Sequence, residues 1–263
     1  MRLKKLLSIL AVLAVTVISL PLANAKGQPI KDAAVQTNQT SVSDVAARSK
    51  NDKREAAKRV NLILVLDKSG SMYGLESDTI GGYNGMIEKE KTLEIPVYVT
   101  TVLFDNTIQT LHDQADIKVL PALTQKEYMA GGSTALYDAV GQTILKAEQY
   151  PAIAARKKGA KVLFVIITDG EENSSKEFSQ EALRKLISAK REEGWEFIYL
   201  GANVEAGKEA SAIGIDEKNA VKYKNTKKGV QANFTAVERA TSDMAQGVFD
   251  KSTWREAVEE DKE

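Results

Sequence analysis

The chain has 263 residues, of which 43% are hydrophobic, and its 36 basic residues balance its 36 acidic residues. This length and apolar content suffice for one α/β domain with appendages, whereas a chain without net charge lacks the long-range field that attracts nucleic acid or an anionic membrane. We therefore expect no nucleic-acid binding. The absence of cysteine excludes disulfides and lipid attachment through an N-terminal cysteine.

The N-terminus has the pattern of a secretory signal peptide. Arg2, Lys4 and Lys5 precede an apolar stretch over residues 6–20, and small residues follow up to Ala25. This pattern predicts a signal peptide over residues 1–25, cleavage after Ala25 and a secreted or extracytoplasmic protein. The alternative is an uncleaved segment that anchors the protein in a membrane, but the apolar stretch is shorter than the roughly 20 residues that span a bilayer.

The segment over residues 26–59 is polar and carries almost no large apolar side chains. It cannot bury enough surface to offset the entropy lost on ordering. We expect a tether there, disordered or partly helical, without chemistry of its own.

The first patterned segment is an apolar run over residues 60–66, in which only Asn61 is polar. Such a run is typical of a strand buried on both faces of a parallel sheet. Asp67, Ser69 and Ser71 follow it directly, at the kind of strand end where open α/β sheets bind ligands. Their oxygen atoms are hard donors, which suit Mg²⁺, Mn²⁺ or Ca²⁺ and not zinc or copper.

Helical and strand-like patterns then alternate. We expect a helix over residues 76–93, a strand over residues 95–104 and, after an Asp105-Asn106 hairpin turn, an antiparallel edge strand over residues 107–111. His112, the only histidine, then falls in a polar loop, where a solvated turn residue is the usual role.

A glycine turn delivers a further hydroxyl. Thr124 and Glu127 have the spacing of a capping box and predict a short helix before Gly131-Gly132. Thr134 follows the glycines and begins a helix that we expect to reach about residue 150. Asp138 lies one turn further on, where it either accepts a hydrogen bond from metal-bound water or a backbone group, or favours the helix dipole.

A second buried strand is predicted over residues 161–168, and it ends at Asp169. Glu171 and Glu172 either shape which partner surface is tolerated or are solvated loop residues, and we expect the second role. A capping box that starts at Ser174 predicts a helix to about residue 194. The remaining patterns predict a strand over 195–200, a helix over 204–213, a weak strand over 220–223 and a helix over 229–246.

Strands that alternate with helices predict a doubly wound, Rossmann-like α/β fold. With five parallel strands and one antiparallel edge strand, we expect a six-stranded sheet in the order 3-2-1-4-5-6, strand 3 antiparallel, and helices on both faces. The change in strand order then falls between the first and fourth strands. Fold geometry alone therefore predicts that Asp67 and Asp169 face each other.

The three pieces together, Asp-x-Ser-x-Ser, a threonine after a glycine turn and Thr-Asp-Gly, resemble the von Willebrand factor type A (VWA) domain, of a bacterial exported type. The resemblance runs over residues 60–247 and leaves residues 248–263 as a charged C-terminal tail. In that family these pieces form a metal-ion-dependent adhesion site. The resemblance assigns metal binding to five residues, Asp67, Ser69, Ser71, Thr134 and Asp169.

The resemblance also implies how such a site works. Residues matching Ser69 and Ser71 bind the ion directly, the one matching Thr134 binds directly or through water, and the two aspartates act largely through waters. We expect Mg²⁺ or Mn²⁺, with Ca²⁺ less suited because a tight calcium cage uses more carboxylates. A partner protein would supply a Glu or Asp carboxylate to the open coordination position, which implies metal-dependent protein binding or adhesion and no catalysis.

Two alternatives remain open on the sequence. A metal-dependent hydrolase or phosphatase of a Rossmann-like fold also places an aspartate after its first strand, but Ser69 stands where such enzymes have a second, acid-providing aspartate. A serine nucleophile would need a base, and we expect Lys68 to be a solvated neighbour with no histidine nearby. In the other alternative the metal only orders the loops.

Overall fold

The structure is a computed structural model that describes residues 57–155, 158–202, 205–250 and 252–259. The predicted signal peptide, its cleavage site and nearly all of the predicted tether lie outside these residues. Within these ranges, no helix combines the length and the apolar character needed to cross a membrane.

Six strands form one sheet in the order β3-β2-β1-β4-β5-β6. β3 runs antiparallel to β2, and every other neighbouring pair is parallel. The predicted doubly wound order with an antiparallel edge strand is therefore confirmed. The strands are β1 (Arg59–Asp67), β2 (Val97–Phe104), β3 (Ile108–Asp116), β4 (Ala160–Thr168), β5 (Glu196–Gly201) and β6 (Ala220–Lys222).

Seven α-helices are present in the described part of the chain. They are α1 (Glu76–Glu90), α2 (Leu136–Ala147), α3 (Pro151–Ala154), α4 (Gln180–Glu192), α5 (Ala206–Ala212), α6 (Lys227–Gln246) and α7 (Glu256–Glu259). Short 3₁₀ turns span Gly70–Met72, Ile117–Val119, Glu217–Asn219 and Thr253–Arg255.

The central strand β1 separates two hydrophobic cores. Leu62 and Leu64 belong to the core that contains residues of α1 and α6, whereas Ile63 and Val65 belong to the core that contains residues of α2 and α4. Successive side chains of a strand point to opposite faces, so a continuous apolar run is what a strand covered by helices on both sides requires. Each fully buried aliphatic side chain contributes about 1.5–3 kcal/mol.

The antiparallel edge strand is longer than expected. β3 continues to Asp116, so the prediction that His112 lies in a polar loop is wrong. The imidazole is nearly buried against the sheet, and its Nδ1 lies 3.2 Å from the Tyr83 hydroxyl, which also hydrogen-bonds Thr101 Oγ1 at 2.8 Å. Because the histidine has a buried polar partner, it need not lie in solvent, and burial lowers its pKa.

Two predicted capping boxes do not open helices. Thr124 and Glu127 make the expected hydrogen bonds, with Glu127 Oε2 accepting from Thr124 N at 3.0 Å, yet only a turn follows. The helix predicted after Ser174 instead begins at Gln180 and is capped by Ser179, whose hydroxyl accepts from Ala182 N at 3.2 Å. Carboxylates described below hold the intervening backbone as a loop.

The end of the described chain packs against the domain. We expected a charged tail past residue 247, but Trp254 and Val258 are buried in the core that contains α1 and α6. Arg255 Nη1 also donates to the Lys218 carbonyl at 2.8 Å. The turn after α6 is made by Gly247, whose φ of 73° suits a residue without a side chain. Charge composition alone did not indicate this burial.

Candidate functional site

The site begins with a buried carboxylate at the end of β1. Asp67 Oδ1 accepts a hydrogen bond from Ser69 N at 2.7 Å, and Oδ2 accepts one from the Thr168 hydroxyl at 2.6 Å. Thr168 is the last residue of β4, the strand that neighbours β1 across the change in strand order. The carboxylate therefore joins the ends of the two strands that the topology brings together.

The two serines after β1 face the end of β4. The hydroxyls of Ser69 and Ser71 lie 3.0 Å apart, and the Ser71 hydroxyl donates to Asp169 Oδ1 at 2.5 Å. Asp169 Oδ2 accepts from Asn225 Nδ2 at 2.8 Å. The Asp-x-Ser-x-Ser loop and the Thr-Asp-Gly loop thus form one cluster, as the sequence predicted.

The glycine turn before Thr134 is held against the first loop by backbone hydrogen bonds. Gly70 N donates to the Gly132 carbonyl at 3.0 Å, and Gly131 N donates to the Lys68 carbonyl at 2.8 Å. Gly132 has a φ of 76°, a conformation that glycine adopts without cost. Thr134 itself is buried and lies before α2, which begins at Leu136 and not at Thr134 as predicted.

The space between the three hydroxyls is defined by Gly170. A Cβ atom at this position would lie 2.8 Å from Thr134 Oγ1, 3.3 Å from Ser71 Oγ and 3.5 Å from Ser69 Oγ. A side chain at residue 170 would therefore fill the gap toward which the three hydroxyls converge. The structure thus brings all five residues predicted to bind metal into one cluster.

Both carboxylates in the cluster have a raised pKa. Burial raises the pKa of Asp67, although the Thr168 hydroxyl and the Ser69 amide and hydroxyl act in the opposite direction. Burial likewise raises the pKa of Asp169, against hydrogen bonds from Ser71 and Asn225. Two neighbouring carboxylates, Asp67 buried and Asp169 half-buried, favour a positive charge close to them.

Tyr128, which the sequence analysis did not single out, and Lys68 support the loops. The Tyr128 hydroxyl donates to the Asp67 carbonyl oxygen at 2.5 Å, and the tyrosine is buried. Lys68 forms an ion pair with Asp105 at 2.5 Å, and both side chains are largely shielded from solvent. Lys68 is therefore not the solvated neighbour that we expected; it ties the loop after β1 to the loop after β2.

Two carboxylates fix the loop between β4 and α4. Asp138 Oδ1 accepts from Glu177 N and Phe178 N, and Oδ2 accepts from Lys176 N at 2.7 Å. Of the roles considered for Asp138, the structure therefore shows bonding to backbone groups.

Glu172 works in the same way, which corrects the expectation that it is solvated. Its two oxygens accept from the amides of Tyr137, Ser174 and Ser175 and from the Ser175 hydroxyl, at 2.7–2.9 Å. Glu171 is exposed, as expected. A capping-box pattern at Ser174 cannot reveal that Asp138, distant in sequence, accepts from the amides of residues 176–178.

The donor chemistry of the cluster fits a hard divalent cation. Three hydroxyls and two carboxylates supply only oxygen ligands. In the described ranges, no group of three or more His, Asp or Glu side chains is arranged to hold a metal, so metal binding at this cluster depends on its hydroxyls. The buried Tyr223 hydroxyl has no hydrogen-bond partner within those ranges, and burial together with Asp169 raises its pKa.

Comparisons with known proteins give structural matches only. No protein-family model matches the chain, and no curated protein matches it. The PilB minor pilin from Streptococcus sanguinis is similar in structure, with a TM-score of 0.55 and 12% identity over 73% of this chain and 63% of the pilin.

Proximal thread matrix protein 1 from the mussel byssus, solved with a zinc-occupied MIDAS motif, has a TM-score of 0.50 and 16% identity over 71% of this chain and 46% of that protein. The ArnB paralog VWA2 from Sulfolobus acidocaldarius has a TM-score of 0.49 and 13% identity over 69% and 46% of the two chains. This chain spans less than two thirds of each of the three proteins. The fold is the Rossmann-like VWA fold.

Proposed function

We propose that this protein binds a divalent cation at the cluster and, through it, the acidic side chain of a partner protein. Ser69, Ser71 and Thr134 would hold the ion through their hydroxyls, and Asp67 and Asp169 would balance its charge. Mg²⁺ or Mn²⁺ suits this oxygen donor set. The zinc-occupied motif of the mussel protein supports a divalent cation and makes Zn²⁺ a necessary comparison.

One observation carries the proposal. The hydroxyls of three residues from two separate loops converge on the space beside Gly170, at 2.8–3.5 Å from the position of a Cβ atom there. Packing alone does not require this convergence, because apolar side chains would fill the same space. An ion with oxygen ligands would use all three hydroxyls.

Binding of a carboxylate follows from the charges. When bound, the cation supplies a positive centre whose direct ligands are neutral, so it attracts an anionic oxygen from outside. The chain's own part is to keep the hydroxyls in place, and the backbone bonds of Gly70 and Gly131 and the Lys68–Asp105 ion pair do so without a ligand. Binding of a partner would therefore cost little conformational entropy in these loops.

We propose binding and not catalysis. The only histidine lies in β3, where Tyr83 is its partner, and it pairs in register with Thr101, three residues before the end of β2. The Lys68 amine is engaged by Asp105. Neither residue supports a serine nucleophile as a base, which favours binding over hydrolysis. We also propose that binding takes place outside the cytoplasm, on the support of the N-terminal sequence pattern.

The test is capture of partners from the exported proteins of the source cells, with the purified protein immobilised. We expect EDTA to abolish capture and Mg²⁺ or Mn²⁺ to restore it. Capture that survives chelation would favour a metal that only orders the loops. Turnover of an aryl phosphate, lost in the Asp67→Asn variant, would favour the phosphatase alternative.

A further inference from the structure

Two exposed apolar side chains lie in the loops that carry the cluster. Tyr73 is 81% exposed and Met129 is 69% exposed. Tyr73 follows Ser71 by two residues, and Met129 lies two residues before Gly131. Single exposed apolar residues are common on protein surfaces, so their position is what requires an explanation.

The other large exposed apolar side chains of the described ranges lie elsewhere. Val119 follows β3, beyond the strand end at which Asp116 pairs with Tyr98, which is the end of the sheet opposite the cluster. Leu145 lies near the end of α2, and Val248 follows the end of α6. Of this set, Tyr73 and Met129 are the two that adjoin the metal-binding residues.

Each of the two side chains is next in sequence to a buried residue. Met72, beside Tyr73, is buried, and so is Tyr128, beside Met129. Tyr128 is further fixed by its hydrogen bond to the Asp67 carbonyl, and the two loops are joined by the bonds of Gly70 and Gly131 described above. The backbone on each side of Tyr73 and Met129 is thus attached to the domain, which lowers the ordering cost for a ligand that packs on these exposed side chains.

A positive charge close to the cluster in sequence favours an acidic ligand. Lys224 is exposed and precedes Asn225, whose amide contacts Asp169. A cation at the cluster and a lysine beside it attract a carboxylate. Two apolar side chains alone are too small a surface to hold a protein partner, since stable interfaces bury on the order of 1,000 Å² or more. We therefore expect a partner to contact the apolar pair and the metal site at the same time.

We propose that the partner's acidic residue is accompanied by a large apolar side chain within a few residues, and that this side chain packs on Tyr73 and Met129. This inference rests on the proposed function. It assigns the pair a role in partner selection: the cation selects for a carboxylate, and the apolar pair selects among carboxylate-bearing segments.

The test uses phage-displayed peptides with one fixed glutamate and random residues on both sides. Wild-type protein and the double variant Tyr73→Ser, Met129→Ser are each used for selection in Mn²⁺, with elution by EDTA. We expect aromatic or large aliphatic residues to be enriched beside the glutamate for the wild type and not for the variant. Peptides selected on the wild type should bind roughly tenfold more weakly for each of the two apolar side chains that the variant replaces.

The matched control is Val119→Ser, Val248→Ser, which removes two exposed apolar side chains far from the cluster. It should select the same peptides as the wild type. Equal apolar enrichment for the wild type and the Tyr73, Met129 variant, or none for either, would overturn the inference while leaving EDTA-sensitive binding intact. Complete absence of EDTA-sensitive peptides would overturn the proposed function as well. Sedimentation could also show that the wild type and the control variant self-associate and that the Tyr73, Met129 variant does not. The pair would then be an interface between copies of this chain, and the inference would be overturned.

Discussion

The Ser71 hydroxyl donates a hydrogen bond of 2.5 Å to Asp169 Oδ1, although the two residues are 98 positions apart in the chain. This bond joins the loop after β1 to the loop after β4. Hydrogen bonds from hydroxyl groups to charged carboxylates are shorter than those between neutral groups. The loops that carry the cluster are thus joined before any ligand arrives, and substitutions there are expected to separate metal affinity from stability.

Replacing Asp169 by Asn should remove metal binding with little loss of fold. The amide oxygen can still accept from Ser71, but the charge that balances a cation is gone. Wild-type protein should gain about 2.7 kcal/mol in its free energy of unfolding when Mn²⁺ is present at 100 times its Kd, and the variant should gain almost none. Urea unfolding with and without Mn²⁺ measures this. The exposed Glu171→Gln is the charge-matched control and should behave as the wild type; an equal gain in Asp169→Asn would contradict the assignment.

Replacing Gly170 by Ala should fill the space between the hydroxyls. The new methyl group would come 2.8 Å from Thr134 Oγ1, closer than van der Waals contact allows. We expect at least a tenfold loss of Mn²⁺ affinity in calorimetric titration, equivalent to about 1.4 kcal/mol. Gly85→Ala, where a Cβ meets no atom within 4 Å, is the control and should keep full affinity. Unchanged affinity in Gly170→Ala would argue against an ion at this point.

Asp138 should matter for stability and not for the ion. Its carboxylate satisfies three backbone amides, so Asp138→Ala is expected to cost about 2–4 kcal/mol in the free energy of unfolding. The loss should be of similar size with and without Mn²⁺, as measured by urea unfolding. If the variant instead kept its stability and lost Mn²⁺ affinity, the role through metal-bound water would be the better description.

Stability should fall as the pH rises, because of Glu90. Burial, together with the charge of nearby Glu238, raises the pKa of Glu90 to about 8. Thr241 lowers this pKa, but its hydroxyl donates its proton to the Val237 carbonyl at 2.9 Å. Both carboxyl oxygens of Glu90 lack a hydrogen-bond partner in the described part of the chain.

The sign of this dependence follows from proton binding. Between pH 4.5 and about 8 the unfolded chain releases the Glu90 proton and the folded chain keeps it, so the folded state loses stability across this window and levels off above it. The loss is roughly 3–5 kcal/mol. Urea unfolding from pH 5 to pH 8.5 should show Glu90→Gln gaining stability relative to wild type as the pH rises. A constant difference between the two proteins would contradict a neutral buried carboxyl.

Replacing Trp254 by Ala should destabilise the domain by about 3–5 kcal/mol, as expected for a fully buried aromatic residue. The exposed Val248→Ala is the control and should cost little. Thermal unfolding monitored by circular dichroism distinguishes the two. A wild-type melting temperature in Trp254→Ala would show that the last segment does not contribute to the core.

The convergence of Asp67 and Asp169 could be predicted because it depends on topology. Apolar runs mark the buried strands, and the doubly wound order places the ends of the first and fourth strands side by side. The order of the six strands followed from the same patterns. These features depend on the order of apolar and polar residues over a whole segment, which can be read directly from the sequence.

Features that depend on a single distant partner could not be predicted. His112 lies in a strand because Tyr83 provides a buried partner. Asn225 contacts Asp169 across 56 residues, and no local pattern marks it. The start of α4 is displaced because Asp138, in α2, binds the amides of residues 176–178. Spacing rules describe hydrogen bonds within a segment and miss those between segments.

The burial of Trp254 and Val258 has a consequence for biosynthesis. A polypeptide emerges with its N-terminal residues first, so one face of the sheet stays incompletely covered until residue 258 has left the ribosome. Interrupted translation or proteolytic cleavage near residue 250 would then yield molecules that keep all five residues of the cluster but expose apolar surface of the core. Such molecules should be preferred substrates for quality-control proteases, because the residues that Trp254 and Val258 cover would be exposed.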